Sequence, residues 1–203
     1  MRLWDLASGK CIQALSGHTS RIAGVVFHPK QPILASGCYD GSIKLWDLQG
    51  RCLRTLIEEN LARIQTIAFH PNRSLLASGG YDATIRCWDT DTGRSLRTLR
   101  LPDGDSFTCT LALHPQGNLL ANGNENGFLL LWDIDSGEII RQLAAHQQRL
   151  WTLDFHPQGH QIASGGHDGA VKLWDLDTGD CWMALAGLGS KVMSVKLDRK
   201  SVV

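Results

Sequence analysis

The chain of 203 residues carries 20 Lys and Arg against 20 Asp and Glu, so its formal net charge at pH 7 is zero. This balance argues against a dedicated nucleic-acid binder, which would carry an excess of positive charge. The longest apolar run, residues 181–186, is far shorter than the roughly 20 residues that cross a bilayer, and the first residues do not resemble a signal peptide. The sequence therefore predicts a cytoplasmic protein without nucleic-acid or membrane partners.

A Trp-Asp pair recurs five times along the chain, at intervals of 42, 42, 44 and 42 residues. A period of about 40–45 residues indicates a chain built from one repeated supersecondary unit. Each such unit is too small to bury its own apolar face and must lean on its neighbours. The pairs are Trp4-Asp5, Trp46-Asp47, Trp88-Asp89, Trp132-Asp133 and Trp174-Asp175.

Four nearly complete repeats each predict four short strands. The first strand runs into His-Pro or its like, which ends the strand and opens a turn. The second leads to a tight turn of the Asp-Gly type, the third ends at Trp-Asp, and the fourth follows a Gly-containing turn. No segment shows a sustained helical period, so no helix is predicted. The first strands are predicted at residues 21–27, 63–69, 107–113 and 149–155, and the second strands at 33–37, 75–79, 119–123 and 161–165.

The two ends of the chain hold only parts of a repeat. Residues 1–15 read as the last two strands of a unit, and residues 191–197 read as the first strand of another. Exposed strand edges are expected at both ends, and such edges promote self-association.

The strand pattern, the tight turn and the Trp-Asp pair agree in every copy, and Gly17-His18 and Ala145-His146 supply or approach a Gly-His pair. In these features the chain resembles the WD40-repeat β-propellers over essentially its whole length. The resemblance implies an all-β propeller of four-stranded antiparallel blades, with about four complete blades plus incomplete pieces at both ends.

Because members of that family usually close into about seven blades, we expect either a fragment of a longer array or two end pieces that join. The single domain, residues 1–203, would divide into a partial blade (1–16), blades at 17–58, 59–102, 103–144 and 145–186, and a partial blade (187–203).

Ser, His and Asp recur together in two repeats, which invites comparison with a hydrolase triad. No Gly-x-Ser-x-Gly elbow accompanies them, and two copies in one chain favour architecture over chemistry. The resemblance implies a buried hydrogen-bonded tetrad that runs from Asp to His to Ser to the Trp indole. We therefore predict no catalytic residues. The two tetrads are His18, Ser36, Asp40 and Trp46, and His146, Ser164, Asp168 and Trp174.

No metal or other cofactor is predicted. The six cysteines include no Cys-x-x-Cys pair, and Cys11, Cys52 and Cys181 occupy the same place in three repeats, where they rarely meet. They read as free thiols in a reducing compartment. Phosphate-loop, dinucleotide and His-Glu-x-x-His motifs are all missing from the sequence.

A partner-binding surface is implied by the resemblance on the narrow face of the propeller. Three positions per blade face this surface: the residue before the turn Asp, and the third and fifth residues after the loop His. Cations and aromatic residues dominate these positions, and they favour an acidic or phosphorylated ligand. The predicted partner-binding residues are Arg21, Tyr39, Arg63, Gln65, Tyr81, Phe107, Glu125, Arg149, Trp151, His167, Lys191 and Met193.

Three classes of function stay open on the sequence alone. The leading interpretation is a non-catalytic interaction scaffold that binds a protein or peptide. The alternative is a sensor or regulatory module that is a fragment of a larger signalling protein. An enzyme would need an exposed acid, base or metal constellation along the channel, and none is found in the sequence.

Overall fold

Eighteen β-strands make up the regular structure of the residues that the computed structural model describes, which are 1–58, 62–102, 104, 106–187 and 189–198. Within these ranges no helix has the length and apolar character needed to cross a membrane. The predicted starts of two blades, at residues 59 and 103, and the end of the last piece, residues 199–203, lie outside the described residues. The described part of the chain is all-β, as predicted.

The strands form five antiparallel sheets, each made of consecutive strands. The two-stranded sheet, which we call the half-blade, contains β1 (Arg2–Trp4) and β2 (Cys11–Ala14). The four-stranded sheets are blades 1 to 4. Blade 1 contains β3 (Ile22–Phe27), β4 (Ile33–Cys38), β5 (Ile43–Asp47) and β6 (Cys52–Leu56). Blade 2 contains β7 (Ile64–Phe69), β8 (Leu75–Gly80), β9 (Thr84–Asp89) and β10 (Ser95–Arg100). Blade 3 contains β11 (Thr108–Leu113), β12 (Leu119–Asn124), β13 (Phe128–Asp133) and β14 (Ile139–Ala144). Blade 4 contains β15 (Leu150–Phe155), β16 (Gln161–Gly166), β17 (Val171–Asp175) and β18 (Cys181–Leu185).

This architecture confirms the predicted fold class of four complete four-stranded blades with an incomplete piece before them. The blades do not close into a ring. The residue limits of the individual blades stay a prediction.

The hydrophobic core lies between blades rather than inside any one of them. Ile43, Leu45 and Leu56 of blade 1 pack against Phe69 and Trp88 of blade 2 in one buried cluster. Two further clusters join blade 2 to blade 3 and blade 3 to blade 4 in the same way. Because full burial of a Leu or Ile side chain contributes about 1.5–3 kcal/mol, each blade depends on its neighbour for stability, as repeat proteins do.

Small residues on the second strand of each blade allow this close approach. A Cβ added to Gly37 would lie 2.7 Å from Cγ2 of Ile64 in the next blade, and one added to Gly79 would lie 2.6 Å from Cγ2 of Thr108. These separations are too short for a real contact. The repeated Ala-Ser-Gly or Ala-Asn-Gly of the second strands is therefore a packing requirement.

The first strands β3, β7, β11 and β15 lie side by side around a central channel. Residues at the ends of these strands line one cavity, and residues at their starts line another, of about 630 Å³. We call the second cavity the mouth. The tight turns between second and third strands surround it, which brings together residues from every blade.

Residues 191–197 were predicted to be a strand, and that prediction is wrong: the segment runs beside β15 without forming a ladder. The backbone N–H of Val195 donates to Oγ1 of Thr152, and that of Leu197 donates to a carboxylate oxygen of Asp154. In blades 1 to 4 the first strand pairs with a second strand. No second strand follows residue 197 within the described residues, so the segment has no neighbour with which to form a ladder.

Both ends of the array expose apolar side chains that their counterparts bury. Trp4 of the half-blade is 54% exposed, whereas Trp46 is 2% exposed. Leu185 of blade 4 is also 54% exposed, whereas Leu56 is fully buried. Self-association through these ends stays a prediction.

Candidate functional site

The first predicted tetrad lies in blade 1 and forms one continuous chain of hydrogen bonds. Nδ1 of His18 lies 3.1 Å from Oδ2 of Asp40, and Nε2 of His18 lies 2.8 Å from Oγ of Ser36. The indole N–H of Trp46 donates to the same Oγ at 2.8 Å. The chain of hydrogen bonds ties the loop before β3 to β4, to the tight turn after β4 and to β5.

The Asp40 carboxylate is the anchor of this network. Burial alone would raise its pKa, but hydrogen bonds from the Ser42 hydroxyl and from the backbone N–H groups of Thr19 and Ser42 outweigh burial and hold the pKa well below its usual value. Ser36 is fully buried. Its hydroxyl therefore has no path to an external substrate, and the arrangement is structural rather than nucleophilic.

Blade 4 repeats the network with the same geometry. Nδ1 of His146 lies 3.0 Å from Asp168, its Nε2 lies 2.8 Å from Oγ of Ser164, and the Trp174 indole donates to that Oγ at 2.9 Å. Burial lowers the pKa of His146 despite the opposing effect of Asp168. The imidazole is therefore held neutral, with one nitrogen donating and the other accepting.

Blades 2 and 3 both lack the histidine and depart from the tetrad in different ways: blade 2 supplies an arginine to the turn acid, and blade 3 has Asn122 in place of the serine. In blade 2, Nη1 of Arg86 lies 2.6 Å from Oδ2 of Asp82, so a cation from β9 takes the place of the imidazole. In blade 3, Oδ1 of Asn122 accepts the Trp132 indole N–H at 2.8 Å, while its Nδ2 is buried without a partner in the described part of the chain. An unsatisfied buried donor costs about 1–3 kcal/mol, so blade 3 is the weaker sheet in this respect.

One group of potential metal ligands, not foreseen from the sequence, lies in blade 1. His18, Cys38 and Asp40 bring one ligand atom each within 4.8 Å of one another. Each atom already serves the turn, because Sγ of Cys38 accepts the Asp40 N–H and Asp40 accepts from His18. The arrangement is accounted for by the tetrad.

At the mouth, the residues that precede the turn acids of blades 1 and 2 form a run of aromatic rings with Phe107. Tyr39 and Tyr81 meet edge to face, with centroids 5.7 Å apart, and Tyr81 stacks on Phe107 at 4.5 Å. The Tyr39 hydroxyl donates to Oε1 of Gln65 at 2.7 Å. The hydrogen bond with Tyr39 and partial burial raise the pKa of Tyr81, so its hydroxyl stays protonated.

Cations alternate with these rings around the mouth. Arg21 lies 5.3 Å from the Tyr39 centroid and Arg63 lies 5.7 Å from it. On the other side, Lys191 lies 5.8 Å from the Trp151 centroid. Such cation–π contacts hold the charged groups in place while leaving part of each group open to solvent or ligand.

Arg149 is the most constrained of these cations. Its guanidinium contacts two rings, 4.6 Å from the Phe107 centroid and 4.8 Å from that of Trp151. Nη2 of Arg149 lies 3.7 Å from Oε2 of Glu125. The indole N–H of Trp151 in turn donates to Nδ1 of His167 at 3.4 Å, a long hydrogen bond.

The structure brings all twelve predicted partner-binding residues to this end of the propeller. Those that line the mouth directly are Arg21, Tyr39, Gln65, Tyr81, Trp151, Lys191 and Met193. Four others do not line the cavity but contact residues that do: Arg63, Phe107, Arg149 and His167. Glu125 forms an ion pair with Arg149.

Cys109 also lines the mouth and was not among the predicted site residues. Burial raises the pKa of this thiol to about 12, so it remains protonated and unreactive. Cys109 is the fifth residue after the position of the loop His, and Gln65 and Trp151 occupy the same place in other repeats. The sequence therefore contained a signal that Cys109 belongs to the mouth.

Sequence reasoning missed a set of arginines that join neighbouring blades on the opposite side. Arg54 donates to the carbonyl of Thr92, Arg97 to those of Asp135 and Ser136, and Arg141 to those of Asp177 and Thr178. Each sits on the fourth strand of one blade and reaches the Gly-containing turn of the next. The recurrence of Arg at this place in three repeats was the available signal.

The four-stranded blades, the Trp-anchored tetrads and the mouth together define a WD40-repeat β-propeller. Within that class, the family described as IFT122 first β-propeller matches residues 1–200, and the chain belongs to it. A probable coatomer subunit beta′ of Schizosaccharomyces pombe is 39% identical over 44 residues, which is 22% of this chain. The chain spans 6% of the length of that relative. WD40 β-propellers are generally non-catalytic scaffolds for protein interaction.

Proposed function

We propose that this protein binds an acidic segment of a protein or peptide at the mouth, as a non-catalytic scaffold. The observation that carries the proposal is the charge arrangement there: Arg21 and Lys191 line the cavity and Arg63 and Arg149 contact its lining residues, whereas within the described residues Glu125 is the one carboxylate that an ion pair links to these cations. The whole chain is neutral, so this excess is local. Clustered cations beside a cavity concentrate positive potential and attract anionic ligands.

The aromatic residues supply the second component of binding. Tyr, Trp and Arg dominate the binding energy of protein interfaces, because they offer large contact area with few rotatable bonds. Tyr39, Tyr81 and Trp151 line the mouth, and their rings are held by neighbouring rings and cations. A ligand therefore meets a surface that is already ordered, which lowers the entropic cost of binding.

The volume of the mouth suits an extended peptide segment, not a whole folded domain. A volume of about 630 Å³ falls within the range of about 300–1,000 Å³ that holds small ligands. Several side chains of an extended segment would fit, with carboxylates or phosphates directed at the surrounding cations.

A survey of displayed peptide libraries tests this proposal. We expect acidic peptides to be enriched over basic peptides of the same length, and the enrichment to shrink as salt is raised, because exposed charges are screened. Equal enrichment of the two libraries, or a preference for basic peptides, would contradict the proposal.

A further inference from the structure

The residue before the turn acid differs in blade 3 from its three counterparts. Tyr39, Tyr81 and His167 occupy this position in blades 1, 2 and 4, where they are aromatic, whereas blade 3 has Glu125. In the described part of the chain, this is the one carboxylate that an ion pair links to the cations of the mouth. A carboxylate is the chemistry that an acidic ligand would itself bring to this place.

Glu125 holds Arg149 only loosely. The distance of 3.7 Å between Nη2 and Oε2 exceeds the roughly 2.7–2.9 Å of a strong charge-assisted hydrogen bond. Both side chains are about one-third exposed, at 33% and 30%, so water and ligands can reach the pair. The ion pair between Glu125 and Arg149 is therefore weak enough for Arg149 to exchange Glu125 for an anion that approaches it more closely.

Arg149 does not need Glu125 to stay in position. The rings of Phe107 and Trp151 both form cation–π contacts with its guanidinium. Glu125 has a second anchor as well, because its Oε1 accepts the backbone N–H of Phe107 at 3.3 Å. Each partner would thus remain in place when the other is neutralised.

We propose that Glu125 is an internal competitor: its carboxylate occupies the anion position on Arg149, and an acidic ligand binds there by displacing it. This inference rests on the proposed function, and it makes Glu125 a residue that sets the affinity and charge preference of the mouth. The ligand group that displaces it is a carboxylate or a phosphate, since both pair with a guanidinium in the same way.

The test compares Glu125→Gln with Glu138→Gln by fluorescence anisotropy, using a fluorescein-labelled hexaglutamate peptide as the probe. Gln at position 125 keeps the acceptor for the Phe107 N–H but removes the charge. Glu138 is an exposed residue in the Gly-containing turn of the same blade, so its variant changes the net charge equally while leaving the mouth intact. We expect Glu125→Gln to bind the probe about fivefold more tightly than the wild type, and Glu138→Gln to bind it unchanged.

A second pair of variants shows whether the effect passes through Arg149. Arg149→Gln should weaken binding of the probe. Adding Glu125→Gln to Arg149→Gln should increase the affinity less than twofold, because the position for which Glu125 competes is then gone. A phosphoserine peptide in place of hexaglutamate distinguishes a phosphate from a carboxylate as the preferred group.

The outcomes separate this inference from the proposed function. If the wild type binds hexaglutamate but Glu125→Gln binds it equally or more weakly, Glu125 positions Arg149 or is irrelevant, and the inference is overturned. If neither protein binds the probe above the level of a hexalysine control, both the inference and the proposed function are wrong. Binding by Glu125→Gln alone would support the competitor role in its strongest form.

Discussion

At the scale of single residues, the tight turn that carries Glu125 depends on a left-handed backbone. Gly127 has φ of +83° and Gly169, its counterpart in blade 4, has φ of +72°. Blade 2 has Ala83 here with φ of +55°, which shows that an alanine can be placed where there is room. A left-handed L-residue costs roughly 1–2 kcal/mol. The atoms around each glycine decide how much further destabilisation an added Cβ would cause.

We predict that Gly127→Ala destabilises the protein by about 3 kcal/mol, whereas Gly169→Ala costs about 1 kcal/mol. A Cβ at position 127 would lie 2.2 Å from the carbonyl oxygen of His146, which is backbone and cannot move aside. At position 169 the nearest atom, the carbonyl oxygen of Ser190, is 3.1 Å away. Urea denaturation of both variants measures the difference. Equal losses would show that the close contact at Gly127 relaxes without cost.

The tetrads mark how far single residues could be predicted. His18, Ser36, Asp40 and Trp46 were named because they recur at the same spacing in blade 4, and the structure places them in hydrogen-bond contact. The substitute in blade 2 could not be found this way. Arg86 reaches Asp82 from β9, and the sequence position of a long side chain does not reveal where its charged end lies.

At the scale of elements, the arginines of the fourth strands fasten each blade to the next. Both Nη atoms of Arg97 donate to carbonyl groups in the Gly-containing turn of blade 3. The planar guanidinium is suited to two parallel hydrogen bonds, which a lysine cannot make. The corresponding position of blade 4 is Met183, as its pairing with Leu173 shows.

We predict that Arg97→Ala lowers the stability by about 1 kcal/mol, because two exposed but well-directed hydrogen bonds are lost. Arg97→Lys should recover less than half of the loss. Arg94→Ala is the matched control, since Arg94 is an exposed residue of the same blade whose side chain makes no hydrogen bond or ion pair in the described residues. Thermal or urea unfolding gives the values. A loss at Arg94 as large as that at Arg97 would show that the cost reflects general surface charge rather than this contact.

The elements themselves were largely predictable, and the single failure has a physical reason. Strands such as β3 and β4 follow from alternation, the His-Pro turn and the Asp-Gly turn, all of which act locally. Residues 191–197 carry the same local pattern as β15 but form no ladder. A strand exists only when a neighbour accepts its hydrogen bonds, and local sequence does not reveal whether that neighbour is present.

At the scale of the whole molecule, a neutral chain collects cations at one end of its channel. Arg21, Arg63 and Lys191 come from different blades or segments and have no ion-pair partner in the described part of the chain. The sequence revealed this cluster because the repeat places equivalent positions on one face. It could not reveal that Phe107 and Trp151 fix the orientation of Arg149, because that depends on how blades 3 and 4 pack together.

The most direct test of this account is a charge reversal at the mouth. Arg21→Glu combined with Lys191→Glu should weaken binding of the hexaglutamate probe by more than about tenfold and should create binding of hexalysine. The matched control, Lys30→Glu with Arg94→Glu, places the same charges at the other end of the strands and should leave both affinities unchanged. If the reversed mouth binds hexaglutamate as tightly as the wild type does, the mouth is not the site of recognition and its cations only face water.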